Sequence, residues 1–489
     1  MPVNDREFAT DDAGALGDSR EAGLAPARER DLTLAAVALM LALHVRNGRL
    51  DPFAIVLLAL TGWALVRAIR TATPPLAEIR GWRTPTLSAA LHLGLFAALV
   101  GHFIRPPAIH LVPPGFWARV PFLLGLLLAA AVVMLPWLAA RAPGELGRLF
   151  KNASRWRLPA LLVVFLWLGA WVIRHSPDPG IDVFIFQRQS VAALLGGLNP
   201  YAMTFPNIYG PEYVYYGANM VRDGQLQFGF PYPPLSLFLS LLGEAGLGDF
   251  RYAQLFAMAG AGALMARVRP GHGDIGLLAA ALYLFAPRAF FVLEQGWTEP
   301  FVVLLLSAVV FAATHIRAVL PVAMGLLLVS KQYSIFMVPL LPWLYSRTDG
   351  KTKLRAALLT VVVGAVVSLP LVLWDWRAFW FSVGEVQFHQ PFRPDALAFP
   401  AAFAFVTGIE APSALAFVAA IATTVLVWRR CPRTPAGFAT AIAAVYFAFF
   451  AFNKQAFCNY YWLVFGALCL AVAAGRGAAA GVENQTATR

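Results

Sequence analysis

Arg174-His175-Ser176-Pro177-Asp178-Pro179-Gly180-Ile181-Asp182-Val183-Phe184 opens a polar, aromatic stretch that continues to Pro233 and interrupts a chain otherwise made of apolar runs. Ahead of it the apolar runs occupy 32–45, 52–66, 87–104, 120–140 and 158–173. Beyond it comes 234–247, and then 252–266, 275–291, 301–315, 318–329, 333–345, 354–373, 415–428, 436–452 and 460–474. A helix needs about 20 apolar residues to cross a hydrocarbon core about 30 Å thick, so several of these runs are expected as tilted or incomplete crossings. The run 234–247 would be only about 21 Å long as a helix and is expected to lie along the membrane interface. The fold class expected is an all-α polytopic membrane protein, a transmembrane bundle with one large polar loop.

Composition agrees. Hydrophobic residues make up 59% of the chain, charged residues 13%, and mean hydropathy is +0.65, which excludes a water-soluble enzyme. The net charge of +12 does not indicate nucleic acid, because the basic residues sit in short loops between apolar runs, as the positive-inside rule requires. With the N-terminus inside, most of the 38 Lys and Arg fall on the cytoplasmic side. The segments 174–233, 294–299, 374–412 and 454–459 then share the extracytoplasmic face. Residues 1–31, which lack apolar periodicity, are expected as a disordered cytoplasmic tail, and 476–489 as a second tail. Cys431, Cys458 and Cys469 show no CxxC spacing, so neither a disulfide framework nor a thiolate metal site is indicated.

Asp182 follows a predicted span by nine residues. A carboxylate on so short an arm suits a general base, which must be held within hydrogen-bond reach of the proton it takes. Helix capping explains it as well. Asp178, between two prolines, suits a turn and is a possible second carboxylate.

Asp182-Val183-Phe184, the helix-like segment ending in Leu194-Leu195-Gly196-Gly197-Leu198-Asn199-Pro200-Tyr201, and Tyr232-Pro233-Pro234-Leu235 occur in the order found in the GT-C membrane glycosyltransferases. The chain most closely resembles glycosyltransferase family 87, across 158–266 above all, with Ser330-Lys331-Gln332-Tyr333 extending the likeness. Phe184 and Phe186 stand where that pattern often has tyrosine, and the tyrosine-rich insert 209–227 has no counterpart in it. The resemblance implies a GT-C-like core over 158–475 with its catalytic loop at 174–251, preceded by extra transmembrane helices at 32–157. It implies Asp182 as catalytic base and Arg251 opening the next span. It also implies a polyprenyl-phosphate-sugar donor, a glycan or lipid acceptor, and inversion at the anomeric carbon. No cofactor is required by that chemistry, and Asp178 with Asp182 leaves room for a divalent cation.

Charge growing on a departing phosphate calls for cations on the same face. Arg251, Lys331, Lys454, His389 and Arg393 are the candidates, with snorkelling or structural roles as the alternative for Lys454 and His389. Glu294, Trp297, Glu299, Gln332 and Tyr201 are candidates for sugar or acceptor contacts, since Trp stacks on a pyranose face and carboxylates bind hydroxyls. An interfacial aromatic belt explains Trp297 and the tyrosines Tyr209, Tyr213, Tyr215 and Tyr216 equally well. Two other functional classes remain. A lipid or solute transporter would show related halves with interrupted helices near the midplane. A non-catalytic partner of envelope assembly would not depend on Asp182.

Overall fold

Peptide groups in hydrocarbon can satisfy their hydrogen bonds only within a helix or a closed barrel, and the apolar runs accordingly fold as helices. The computed structural model describes residues 11–70, 86–112, 115–210, 215–269, 274–346 and 348–475. The expected tail 476–489 and Tyr213 lie outside the described residues. Among the described residues, the helices that precede the polar stretch are α1 (Asp11–Val45), α2 (Pro52–Arg70), α3 (Leu87–Ile104), α4 (Phe116–Arg141), α5 (Gly144–Ser154) and α6 (Arg157–His175). Within the stretch lies α7 (Asp182–Leu195), and α8 (Pro234–Leu247) and α9 (Arg251–Arg267) follow it. The remainder comprises α10 (Ile275–Leu284), α11 (Ala289–Glu294), α12 (Glu299–His315), α13 (Leu320–Leu328), α14 (Gly350–Trp374), α15 (Trp376–Trp380), α16 (Val386–His389), α17 (Phe399–Thr407), α18 (Ala414–Arg430), α19 (Pro435–Ala451) and α20 (Cys458–Ala474).

Three expectations need correction. Among the described residues, five helices are long and apolar enough to cross a membrane: Pro52–Arg70, Leu87–Ile104, Arg119–Arg141, Arg157–His175 and Gly350–Trp374. Other runs are shorter or broken. Pro287 falls in the break that divides 275–291 into α10 and α11, and 333–345 lies in a 3₁₀ helix, Gln332–Tyr345, that contains Pro339 and Pro342. Proline removes a helical hydrogen bond and crowds the preceding turn. Finally, α1 begins at Asp11 instead of near Leu32, so part of the expected disordered tail is helical. Its last turns before the apolar run are anchored, with Arg28 Nε donating to Ala68 O at 3.2 Å and Asp31 paired to Arg67 at 3.3 Å. The Ala, Glu and Arg content of this stretch favours a helix.

Burial sorts the helices into layers. The side chains of α19 and α20 are buried along their whole length, and these two helices pack against each other at the centre with α1, α10 and α12 around them. On α14, by contrast, Leu358, Val361, Val366 and Leu373 are exposed, the pattern of a helix that faces lipid.

Several loops meet at one end of the bundle. Leu50 N–H donates to Asp395 O, Arg288 reaches Asn47 Oδ1 at 2.6 Å, Val112 N–H donates to His175 O, and Leu397 N–H donates to Ala456 O. The polar stretch adds a small core of its own here, with Phe186, Val191, Tyr201, Phe205, Leu226, Phe228 and Phe230 packed with Leu237, Leu371 and Val386. A three-stranded antiparallel sheet of β1 (Phe205–Pro206), β2 (Val221–Arg222) and β3 (Gln225–Leu226), in the order β1-β3-β2, folds the chain back on itself. Asp223 and Gly224, with φ of 49° and 72°, make the tight turn between β2 and β3.

Candidate active site around Asp182

Helix α6 stops at His175, and Pro177, Pro179 and Gly180 (φ 59°) turn the chain before α7. Asp178 belongs to that turn. It is exposed, and its Oδ1 accepts the Gly180 N–H at 3.1 Å. Ile181 occupies the cap position of α7, so Asp182 is the first helical residue, where the helix dipole favours a negative charge.

The half-buried Asp182 carboxylate is held from both sides. Its Oδ1 accepts the Val183 N–H at 2.7 Å, and its Oδ2 accepts a hydrogen bond from the Tyr216 hydroxyl. The Asp182 N–H donates to the Tyr209 hydroxyl oxygen at 3.2 Å. Burial pushes the Asp182 carboxyl above the ordinary carboxylate range, against the hydrogen bond from Tyr216, those involving Val183 and Tyr209, and the charge of Arg393, all of which favour the ionised form.

One wall of the site comes from the loop after α16. The Arg393 guanidinium stacks on Tyr215 at 3.9 Å and Phe457 at 4.6 Å, and it pairs with Asp395 through two contacts of 2.9 Å. Lys454 Nζ donates to Gln390 O at 2.5 Å and Phe388 O at 3.3 Å, fastening the same loop. His389, between those residues, has an exposed side chain.

Beside Tyr232 lies Lys331, which is 4% exposed. Its ammonium donates to Thr298 Oγ1 at 2.5 Å, pairs with Glu299 Oε1 at 3.0 Å, and lies 4.0 Å from the centre of the Tyr232 ring. Tyr333 also donates to Glu299 Oε1, at 3.2 Å, while the buried Glu299 Oε2 has no hydrogen-bond partner among the described residues. Gln332 donates to Pro231 O. Lys331 and Gln332 line a cavity of about 230 Å³ whose other walls are Pro233, Pro234, Leu328, Val329, Ile335, Val338, Ser368, Phe379 and Val383. Tyr232 joins the two halves. Burial and the charges of both Asp182 and Glu299 raise the titration of its hydroxyl.

Four expected site residues are buried and held by contacts within the protein. Arg251, fully buried, gives its guanidinium N–H groups to Asp249, Ser176 O, Glu294 O and Ile173 O, leaving no donor for a phosphate. Glu294 accepts the Ile109 and His110 N–H groups at 2.6 Å each and the Ser176 hydroxyl at 2.9 Å, so it clasps backbone instead of sugar. Trp297 is packed edge-on to Phe291 in the core, and Tyr201 is 1% exposed with its hydroxyl on Tyr232 O. Tyr209 and Tyr216, for which the sequence leaves both a sugar groove and headgroup anchoring open, contact Asp182. The Asp223-Gly224 pair between Val221 and Leu226 is the hairpin signal that folds their segment inward.

The fold and its exposed apolar helices define an all-α, membrane-embedded helical protein. No family model, curated protein or solved structure matches the chain.

Proposed function

We propose that the protein is a membrane glycosyltransferase of GT-C type that moves a monosaccharide from a polyprenyl-phosphate donor to an acceptor hydroxyl on the extracytoplasmic face. The observation that carries this reading is the arrangement about Tyr232. A carboxylate held by hydrogen bonds acts on its titration, and an ammonium beside its ring lines, with an amide, a largely apolar cavity. That combination suits a donor with a lipid chain, a phosphate and a sugar. Ile335 and Val338, which line the cavity, are exposed, so a chain could enter from the lipid side.

In this scheme the acceptor oxygen attacks the anomeric carbon as its proton passes to Asp182. The bond from that carbon to the phosphate oxygen breaks, and the polyprenyl phosphate leaves with the electron pair. Attack opposite the leaving group inverts the anomeric centre. Lys331, Gln332 and Lys454 are the groups assigned to the phosphate, and Arg393 sustains the charge on Asp182. The free oxygen of Glu299 is assigned to a sugar hydroxyl.

Sugar transfer from a panel of polyprenyl-phosphate-sugars by the purified protein in lipid, read by mass spectrometry, tests the proposal. Asp182→Asn is expected to lower turnover by about 10²- to 10⁴-fold while the protein remains folded. Undiminished turnover in that variant would remove Asp182 as base, and no turnover with any donor and acceptor in a broad panel would sink the reading itself.

A further inference from the structure

We propose that Tyr216, in the tyrosine-rich insert, is the positioning residue whose hydroxyl holds the Asp182 carboxylate toward the acceptor. This rests on the glycosyl-transfer reading and deepens it.

The insert is built to place one hydroxyl. The sheet returns the chain over α7, and Tyr216 packs at 5.8 Å from Phe228, whose ring meets Phe186 on the same helix as Asp182. Tyr209 lies 6.4 Å from Tyr216 and 4.6 Å from Tyr215. Tyr215 in turn carries the Arg393 guanidinium, and Gly217, on the other side of Tyr216, lies so close to His389 O that a Cβ there would stand 3.1 Å away. The segment 215–217 is therefore gripped between Asp182 and the 389–393 loop.

The chemistry follows from the lone pairs. Each carboxylate oxygen accepts more than one hydrogen bond, so Tyr216 on Oδ2 and Val183 N–H on Oδ1 leave capacity for the acceptor hydroxyl while preventing the carboxylate from rotating. A terminal carboxylate torsion is otherwise broad, and a base that wanders loses its geometry. The titratable and charged groups that act with Asp182 are Tyr209, Tyr216, Tyr232, Tyr460 and Arg393. Of these, Tyr216 donates to Oδ2 and does the most to favour the ionised form.

Tyr216→Phe keeps the ring and removes the hydroxyl. Its kcat is expected to fall about 10- to 100-fold with the donor KM unchanged, the usual scale for losing a hydrogen bond to a charged group. The acid limb of its pH–rate profile should move to higher pH, since a bond favouring the ionised form is gone. Replacing Tyr216 by 3-fluorotyrosine, a stronger donor, should move that limb the other way, which mere packing would not do. Carbodiimide labelling of Asp182 against pH, quantified by peptide mass spectrometry on the intact protein, needs no donor. Its midpoint should rise in Tyr216→Phe. Superimposable labelling curves, or an unchanged kcat and acid limb, would overturn the role given to Tyr216. Turnover that survives Asp182→Asn would instead overturn the base, whatever Tyr216→Phe does.

Discussion

Arg251 donates only to acceptors of the protein itself, so its removal should be felt in folding. Replacing one partner of a buried ion pair strands the other, and Arg251→Met is expected to cost about 3–5 kcal/mol, read as a lowered unfolding midpoint in detergent. The donor KM of the folded fraction should not change. Asp182 has a different signature. Its folded titration lies above its unfolded one because burial penalises the charge, so its contribution to stability is fully present below the unfolded value and is lost as pH rises through the folded value. Asp182→Asn, which cannot ionise, should therefore gain stability relative to wild type between acid and neutral pH. A constant difference across that range in paired melting curves would contradict this account. Asp182 stands out in the sequence, where its place after a span leaves base and cap equally open and the GT-C resemblance points to the base. Tyr216 was not, because it reaches Asp182 only through a hairpin whose path no periodicity reveals.

Elements with regular apolar patterns were the most readable. The bounds of α3 and α8 coincide with their apolar runs, since hydrocarbon leaves the backbone no other means of satisfying itself. The apolar content of 333–345 hides the effect of Pro339 and Pro342, which turn Gln332–Tyr345 into a 3₁₀ segment. The insert depends on close backbone approach as well as on its tyrosines. A Cβ on Gly229 would lie 2.2 Å from Tyr201 O, and its N–H donates to Ser382 Oγ at 2.9 Å. Gly229→Ala is expected to displace the return from β3 at a cost of about 1–3 kcal/mol. Limited proteolysis should then cut within 205–228 at protease concentrations that spare wild type.

At the level of the whole molecule, the sequence reading separated extra helices at 32–157 from a core. The structure packs them together: α1 lies against α20, α2 against α19, and Glu294 holds the backbone at Ile109 and His110. The proposed orientation has a direct test, because Cys431, Cys458 and Cys469 are all buried and should give little background. A membrane-impermeant maleimide should label Asp178→Cys in intact cells and Lys151→Cys only after permeabilisation, both positions being exposed. The opposite pattern would invert the topology and remove the site from the outer face. The contact between α1 and α20 also bears on how the protein is made. Helix α1 packs against α20, which is synthesised long after it, so this contact cannot form until α20 has been delivered to the bundle. A chain stalled before Cys458 would leave α1 without the neighbour that covers it, giving the quality-control machinery of the membrane an unfinished surface to detect.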